Sequence, residues 1–148
     1  MANYYSEIAL TERIRDGMPK VRYLDIVIDG QPLSETPEIR GLDTVSYFDF
    51  SNLEAAERSL PYLLGEGSGA DVLLYICPLC GDVRCGAVQI QVVRSRDDFE
   101  WHGFAYVNNT DEPRALPIGP FRFKAEPYLK VMQGVLAHLS DGQFEYGE

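Results

Sequence analysis

The stretch CGAVQIQVVRSRDDFEWHGFAYV, residues 85–107, decides the fold of this chain. Its first half alternates apolar and polar side chains, a polar turn follows at residues 95–98, and a second alternating run comes after the turn. Alternation with a period of two indicates β-strands, and two such runs around a short turn indicate a β-hairpin. We therefore predict an antiparallel hairpin at the centre of the fold.

The hairpin turn also predicts which residues face each other across the two strands. His102 is expected to face Gln91, and Asn108 is expected to face Cys85 at the far end. Uninterrupted alternation on the second strand places Phe104 on the same face as His102. The cysteine-containing turn and the loop after Asn108 should therefore lie together at one end of the sheet.

Further strands and helices are predicted on either side of the hairpin. The strand-like runs are residues 21–28, 43–50, 71–76 and 121–123. Ser51 and Glu54 have the spacing of a capping box and predict a helix over residues 52–64, which Pro61 ends early or kinks. Apolar residues at helical spacing after Pro127 predict a C-terminal helix.

The remaining segments are assigned less regular structure. Residues 3–16 fit either a short helix or a loosely packed arm, and residues 31–41 and 108–117 are expected to be loops. Helices at either end of an antiparallel run of strands indicate an α+β fold. We expect a single α+β domain over residues 1–148, with a mainly antiparallel sheet, a central hairpin, one mid-chain helix and a C-terminal helix.

The charge of the chain limits its partners. It has 23 acidic residues against 13 Lys and Arg residues, which gives a formal net charge of -10. Such a charge opposes binding to nucleic acid or anionic lipid, and it favours a basic protein partner. The composition does not indicate an oligomeric state.

The sequence also predicts a location. Its first residues have neither a basic segment nor an apolar run of signal-peptide length. No run approaches the roughly 18 apolar residues of a membrane span. Three clustered cysteines do not resemble the disulfide framework of a secreted protein. We therefore expect a non-membrane, cytoplasmic protein.

All three cysteines lie in CPLCGDVRCGA, residues 77–87. Cys77 and Cys80 have the spacing of a zinc knuckle, in which two thiolates face one ion, and Cys85 is a candidate third ligand. Structural zinc requires a fourth ligand, for which the candidates are His102, His138 and Asp82. The predicted hairpin places His102 roughly 20 Å from Cys85, so His102 is a poor candidate.

Two other interpretations of the cysteine stretch remain open. Cys77 and Cys80 could form a redox pair, although no helix follows them to lower a thiol pKa and Arg84 is the nearby cation. Alternatively, the stretch is a structural turn in which the cysteines are buried as small apolar groups. The cofactor is accordingly either zinc or none.

The stretch CPLCGDVRCGAV carries a resemblance, together with the downstream Trp101, residues 104–106 and the pair Asn108 and Asn109. It resembles a group of small uncharacterised bacterial proteins with a C-P-x-C-G-D-x-x-C-G-A signature, over about residues 72–136. This resemblance implies a recurring motif and no established activity.

Catalytic motifs are not recognisable. The acidic residues form no distinctive pair of the kind that acid/base hydrolysis requires. The serine of residues 67–69 precedes a strand, whereas the nucleophile elbow of a serine hydrolase follows one. A non-enzymatic protein is favoured, and an enzyme with a pocket at the cysteine end of the sheet is a further alternative.

Tyrosines and acids together suggest a contact surface. Tyr47 and Phe48 are adjacent in a predicted strand, so they face opposite sides of it and are hard to bury together. Exposed aromatic residues on an acidic surface suit binding to a basic protein. We predict an acidic, cytoplasmic protein-binding module, such as an immunity or inhibitor protein, with a zinc or thiol-redox protein as the alternative. The candidate binding residues are Tyr47, Phe48, Asp82, Asn108, Asn109 and Asp111.

Overall fold

The structure is a computed structural model that describes residues 5–16, 20–40, 42, 44–50, 53–66, 71–77, 86–108 and 112–146. These residues form nine strands: β1 (Ile8–Arg15), β2 (Val21–Ile28), β3 (Gln31–Pro32), β4 (Val45–Ser46), β5 (Asp71–Ile76), β6 (Ala87–Arg94), β7 (Asp98–Val107), β8 (Arg114–Ala115) and β9 (Phe121–Lys124). The helices are α1 (Pro37–Arg40), α2 (Leu53–Leu63), α3 (Ala125–Gln133) and α4 (Val135–Tyr146), with a 3-10 turn at Leu33–Glu35. The predicted single-domain α+β fold is confirmed.

The central hairpin is formed by β6 and β7, as predicted. The two strands are antiparallel, and His102 faces Gln91. The turn between them is closed by the amide of Ser95, which donates to the carbonyl of Asp98 over 2.8 Å. Local alternation and a polar turn were sufficient to predict the pairing beside the turn, because both signals lie within one short segment.

A β-bulge on β7 overturns two predictions about the hairpin. The register shifts between Gln89 and Gln91, where β7 has one residue more than β6. Gly103 occupies this position with a φ of 66°, a conformation that suits glycine. The extra residue turns Phe104 into the core at 2% exposure, not onto the face of His102.

The same bulge changes the pairing at the cysteine end of the hairpin. Val107 faces Ala87, and continuing this register places Asn108 level with Gly86. The prediction that Asn108 faces Cys85 is therefore wrong by one residue. Cys85 itself lies outside the described residues.

Outside the hairpin, β2 and β5 are confirmed, and several boundaries differ. The segment predicted as a helix or arm contains β1, which pairs with β2 along its whole length. The predicted loop over residues 31–41 contains β3, the 3-10 turn and α1, and the loop over residues 108–117 contains β8. The predicted strand over residues 43–50 is reduced to β4, because the chain bends away after Ser46.

Ser46 causes this bend. Its hydroxyl donates to the carbonyl of Leu24 (2.5 Å) and accepts from the amide of Phe48 (3.1 Å). A side chain that hydrogen-bonds to the backbone two residues later gives the chain an alternative to the strand ladder. The residues after Ser46 are thus directed toward β2, where the amide of Leu24 donates to the carbonyl of Phe48 (2.8 Å).

Backbone hydrogen bonds join the two sheets at both sides. One sheet has the order β1-β2-β3, and the other has the order β4-β5-β6-β7-β8, with β9 also paired to β7. The Leu24–Phe48 bond connects β2 to the segment after β4. On the other side, the amide of Ser6 donates to the carbonyl of Arg122 in β9 (2.7 Å). The strands therefore follow one another around an almost closed, curved surface.

The helices pack against the inner, apolar side of this surface. Pro61 lies inside α2, which ends two residues later at Leu63, and Ser51 of the predicted capping box lies outside the described residues. The predicted C-terminal helix is divided at Gly134 into α3 and α4. The largest fully buried side chains are Trp101, Tyr75, Tyr128, Phe48, Phe99, Phe123, Leu24, Ile26, Leu33, Ile39, Leu63 and Leu74.

Candidate functional site

A carboxylate is buried where β2 meets β5. Asp25 is completely shielded from solvent, and its Oδ1 accepts hydrogen bonds from the hydroxyl of Tyr75 and the amide of Ile26. Its Oδ2 accepts from the hydroxyl of Ser34 over 2.5 Å. A buried carboxylate is tolerated when donors satisfy its oxygens, and the Asp25 cluster meets that requirement.

Arg13 supplies the compensating positive charge at the edge of this cluster. Its Nε lies 3.6 Å from the Asp25 carboxylate, and its Nη1 donates to Glu35 over 2.8 Å. The Arg13 side chain is 34% exposed, so solvent screens it in part. The Asp25 cluster therefore joins β1, β2, β5 and the 3-10 turn, and we interpret it as a structural anchor.

The Tyr75 hydroxyl acts as a donor within this anchor. Burial raises the pKa of the Tyr75 phenol well above its usual range, and the nearby Asp25 carboxylate raises it further. The phenol therefore keeps its proton throughout the neutral range. A phenol that keeps its proton at neutral pH is a stable hydrogen-bond donor to the buried carboxylate.

A surface groove lies between α2 and the outer edge of β5. It has a volume of about 140 Å³ and is lined by Tyr47, Arg58, Ser59, Tyr62, Asp71, Val72 and Leu73. Tyr62 is 45% exposed, and it is one of two large apolar side chains that are exposed among the described residues. We call it the tyrosine groove, and its lining includes Tyr47, whose role as a contact residue stays a prediction.

The groove exists because β4 covers only part of β5. β4 pairs with Tyr75 and Ile76, and the amide of Tyr47 donates to the carbonyl of Leu74 over 3.1 Å. The chain then bends away at Ser46 and Phe48, as described above. In the described part of the chain, no strand pairs with the outer edge of β5 at residues 71–73.

Acidic side chains are exposed on the elements that form the tyrosine groove, and Asp71 is the one that lines it. Glu54, Glu57 and Glu66 are exposed on α2 and the turn that follows it, and Asp71 is exposed at the start of β5. The one basic side chain in the groove lining, Arg58, lies 4.0 Å from Glu54, at the limit of an ion pair. The groove therefore combines two tyrosines with one acid and one base, and three further acids are exposed on α2 and the turn after it.

Of the predicted contact pair, only Tyr47 lies at the surface. Phe48 is 1% exposed and belongs to the core, so its assignment as a binding residue is wrong. The reason is the bend at Ser46, which directs Phe48 inward between β2 and the helices. Tyr62 was missed, although the buried residues of α2 have helical spacing on one face and Tyr62 falls outside that face.

Most of the cysteine stretch lies outside the described residues, including Cys80, Asp82 and Cys85, as do Asn109 and Asp111 of the neighbouring loop. Cys77 follows β5, is half-buried and is a free cysteine. Among the described residues, no group of three or more His, Cys, Asp or Glu side chains could hold a metal ion. The zinc and redox interpretations thus stay predictions.

The two histidines do not lie together. His102 faces Gln91 in the middle of the hairpin. His138 on α4 has its Nε2 3.7 Å from the Glu12 carboxylate, and its ring meets Phe50 edge-on at 6.2 Å between centroids. The described structure therefore offers no pair of histidines for catalysis or metal binding.

The end of the hairpin near the cysteine stretch is closely packed. Gly86 has a φ of 111°, and a Cβ atom at this position would lie 2.1 Å from the Tyr106 hydroxyl. The guanidinium of Arg114 lies 5.1 Å from the centre of the Tyr106 ring. Asn108 is half-buried directly after β7. Gly86 is therefore required for packing, which accounts for one of the glycines of the cysteine stretch.

Comparisons with known proteins do not assign this chain to a family. No protein-family model matches it, and no curated protein or solved structure matches it either. None of the helices in the described residues is both long and apolar enough to span a membrane.

Proposed function

We propose that this protein is an acidic protein-binding module whose tyrosine groove contacts a basic protein partner, as in an immunity or inhibitor protein. The observation that carries the proposal is the exposed Tyr62, which lines one groove with Tyr47 and Asp71, on a helix that also exposes Glu54 and Glu57. Aromatic anchors inside a charged rim are the usual composition of an interface whose centre excludes water.

The two parts of this surface have different roles in binding. Tyr47 and Tyr62 supply apolar area that a partner side chain covers, and this buried area supplies most of the affinity. The carboxylates of Glu54, Glu57 and Glu66 attract basic partners and repel acidic ones, which raises the association rate and the specificity. We therefore expect a partner that presents an apolar side chain flanked by Lys or Arg residues.

Two variants and a matched control test the proposal. The groove variants are Tyr62→Ala and the triple substitution Glu54→Gln, Glu57→Gln, Glu66→Gln. The control is the triple substitution Asp97→Asn, Glu112→Gln, Glu126→Gln, because these three acids are also exposed and lie away from the groove. Each protein is immobilised, and the proteins captured from a cell extract are quantified by mass spectrometry at low and high salt.

We expect a basic protein that binds the wild type and the control variant but binds both groove variants more weakly. Its association rate, measured afterwards with the purified partner, should fall steeply with salt because the encounter is electrostatically steered. Equal capture by all variants, or an association rate that does not depend on salt, would contradict the proposal.

A further inference from the structure

β1 is an edge strand, and the bonds around it show which of its backbone groups face outward. In the described part of the chain it pairs with β2 along its whole length and with no other strand. The amide of Asp29 donates to the carbonyl of Glu7 over 2.9 Å, so Glu7 bonds toward β2. The amide of Ser6 donates in the opposite direction, to the carbonyl of Arg122. Because bonding alternates along an antiparallel strand, the backbone N–H and C=O groups that face outward belong to Ile8, Leu10, Glu12 and Ile14.

Open space adjoins this outer edge. β1 leaves β9 after the bond between Ser6 and Arg122, and a cavity of about 530 Å³ lies between Ile8 and Lys124. No backbone hydrogen bond joins the outward groups to another residue that the structure describes. Further along the strand, the exposed residues are Ala9, Thr11, Glu12 and Ile14.

The edge lacks the features that usually keep edge strands from pairing, which are proline, a bulge or unpaired charges. The register of β1 with β2 is uninterrupted, and β1 contains no proline. Glu12 pairs with Arg22 over 3.0 Å and Arg13 pairs with Glu35 over 2.8 Å, so both charges are compensated within the same chain. Ile14 is 52% exposed. The β1 edge is therefore suited to pairing with a further strand.

A second β1 strand matches this edge in one antiparallel register, in which Thr11 faces Thr11 of the other copy. Ile14 then faces Ile8, Glu12 faces Leu10, and Arg13 faces Ala9. All outward residues pair with outward residues, and no like charges oppose each other. A shift of the register in one direction opposes Glu12 to Glu12, and a shift in the other direction leaves Ile14 without a partner.

We propose that this protein forms a symmetric homodimer in which the outer edges of two β1 strands pair, with Thr11 beside the two-fold axis. The pairing continues the sheet of one copy into that of the other, and Ile8 of the second copy covers Ile14. An interface of this kind is isologous and closes after two copies. Because each copy has a formal net charge of -10, salt should screen their repulsion and strengthen the dimer.

Thr11→Cys tests the register directly. Residues that face each other without mutual hydrogen bonds in an antiparallel pair have Cα atoms about 4.5 Å apart, a separation that a disulfide can bridge. Ala9→Cys is the matched control, because Ala9 is also exposed on β1 but lies about 14 Å from its equivalent in this register. Mild oxidation should link two copies of the Thr11→Cys variant at position 11, and peptide mass spectrometry distinguishes this link from those of the native cysteines.

Sedimentation equilibrium of the intact protein measures the dimer dissociation constant. Ile14→Pro removes an outward N–H and leaves the bonds to β2 in place, because proline is tolerated on an edge strand when its nitrogen faces outward. It should weaken the dimer about ten-fold or more. Tyr62→Ala is the control, since it removes the other exposed large apolar side chain and should leave the dimer unchanged. Circular dichroism checks the fold, and the Thr11→Cys comparison decides the question if Ile14→Pro does not fold.

Three outcomes would overturn the proposal: a wild type that stays monomeric at every concentration and salt, equal cross-linking of Ala9→Cys and Thr11→Cys, or a dimer that Tyr62→Ala weakens as much as Ile14→Pro does. The β1 edge shares no residue with the tyrosine groove. Salt should strengthen the dimer and slow association at the groove, so failure of one proposal is distinguishable from failure of the other.

Discussion

Tyr75 and Tyr128 are both completely buried, but their hydroxyl groups serve two different networks. The Tyr128 hydroxyl accepts from Trp101 Nε1 (2.9 Å) and donates to the carbonyl of Leu63 (2.6 Å), so all its partners are neutral. The Tyr75 hydroxyl donates to the Asp25 carboxylate, a buried charge. The first network completes an apolar core, and the second makes a charge tolerable inside the protein.

The surroundings of the two rings explain this difference. Tyr128 stacks on Phe99 with 4.2 Å between centroids, where helix α3 covers the hairpin, and the aromatic packing holds the helix in place. Tyr75 is a core residue of β5 whose hydroxyl reaches Asp25, and Arg13 compensates the same carboxylate from 3.6 Å away. Tyr128 therefore holds α3 against the hairpin, whereas Tyr75 links β5 to β2.

The largest effect is expected when the charge at the centre of the Tyr75 network is removed. Asp25→Ala leaves the Tyr75 hydroxyl buried without an acceptor and removes the main partner of Ser34. Breaking a buried charged network of this kind costs about 3–5 kcal/mol. Urea unfolding followed by circular dichroism measures the loss in the free energy of unfolding.

Glu57→Ala serves as the control for that measurement, because this exposed helix carboxylate has no buried partner, and it should change stability very little. The double variant Asp25→Ala, Tyr75→Phe isolates the contribution of the hydrogen bond between these two side chains. Tyr75→Phe should cost about 1.5–3 kcal/mol in the wild type and much less beside Asp25→Ala. A loss below about 1 kcal/mol for Asp25→Ala would show that the carboxylate is not an anchor.

In the neutral network, loss of the central hydroxyl should cost less than loss of the Asp25 charge. Tyr128→Phe keeps the aromatic packing and leaves two neutral groups, Trp101 Nε1 and the carbonyl of Leu63, without their partner. We expect a loss of about 2–3 kcal/mol in the free energy of unfolding. Lys130→Ala on the same helix is the control, because this side chain is exposed and its removal leaves the packing of the core unchanged. A loss as large as that of Asp25→Ala would remove the distinction between the networks.

A smaller effect is expected from alkaline pH, and it acts on both networks. Burial raises the pKa of both Tyr75 and Tyr128, and Asp25 raises that of Tyr75 further. A raised folded-state pKa contributes stability that is complete below the ordinary tyrosine pKa of about 10 and is lost as pH rises above it. Each phenol should lower the free energy of unfolding by about 1.4 kcal/mol per pH unit in that window.

The measurement is the slope of unfolding free energy against pH above about 10. Tyr75→Phe and Tyr128→Phe should each make this slope less steep by about 1.4 kcal/mol per pH unit, which is the contribution of one phenol. A slope that stays unchanged in either variant would mean that the corresponding phenol ionises freely in the folded protein.

The hairpin shows how far local patterns determine this fold. Alternation and a polar turn predict that His102 faces Gln91, since the signals for pairing lie beside the turn. The bulge at Gly103 was not predicted, although an isolated glycine inside a strand pattern is a recognised signal for one. Its consequences for Phe104 and Asn108 follow only from the register of the complete strand pair.

The candidate contact residues likewise include some that the sequence pointed to and others that it did not. Tyr47 was predicted from an acidic, tyrosine-rich composition, and the groove confirms only that it lies at the surface. Asp25 was not identified, although a single acid within the apolar run of β2 is a recognisable signal. The outer edge of β1 was not identified either, because the pairing of the whole sheet decides which strand is left at its edge.

The sequence by itself determined the α+β class, the central hairpin, most strands and the strongly acidic charge, because these properties depend on period and composition within short segments. Only the tertiary structure decided that β1 is a strand, that the two sheets join around a curved surface, that Phe48 is buried and that Tyr62 and Tyr47 line one groove. It also decided where the Asp25 cluster forms. The physical reason is that each of these features depends on contacts between residues far apart in the chain, whose pairing is set by the packing of the whole domain.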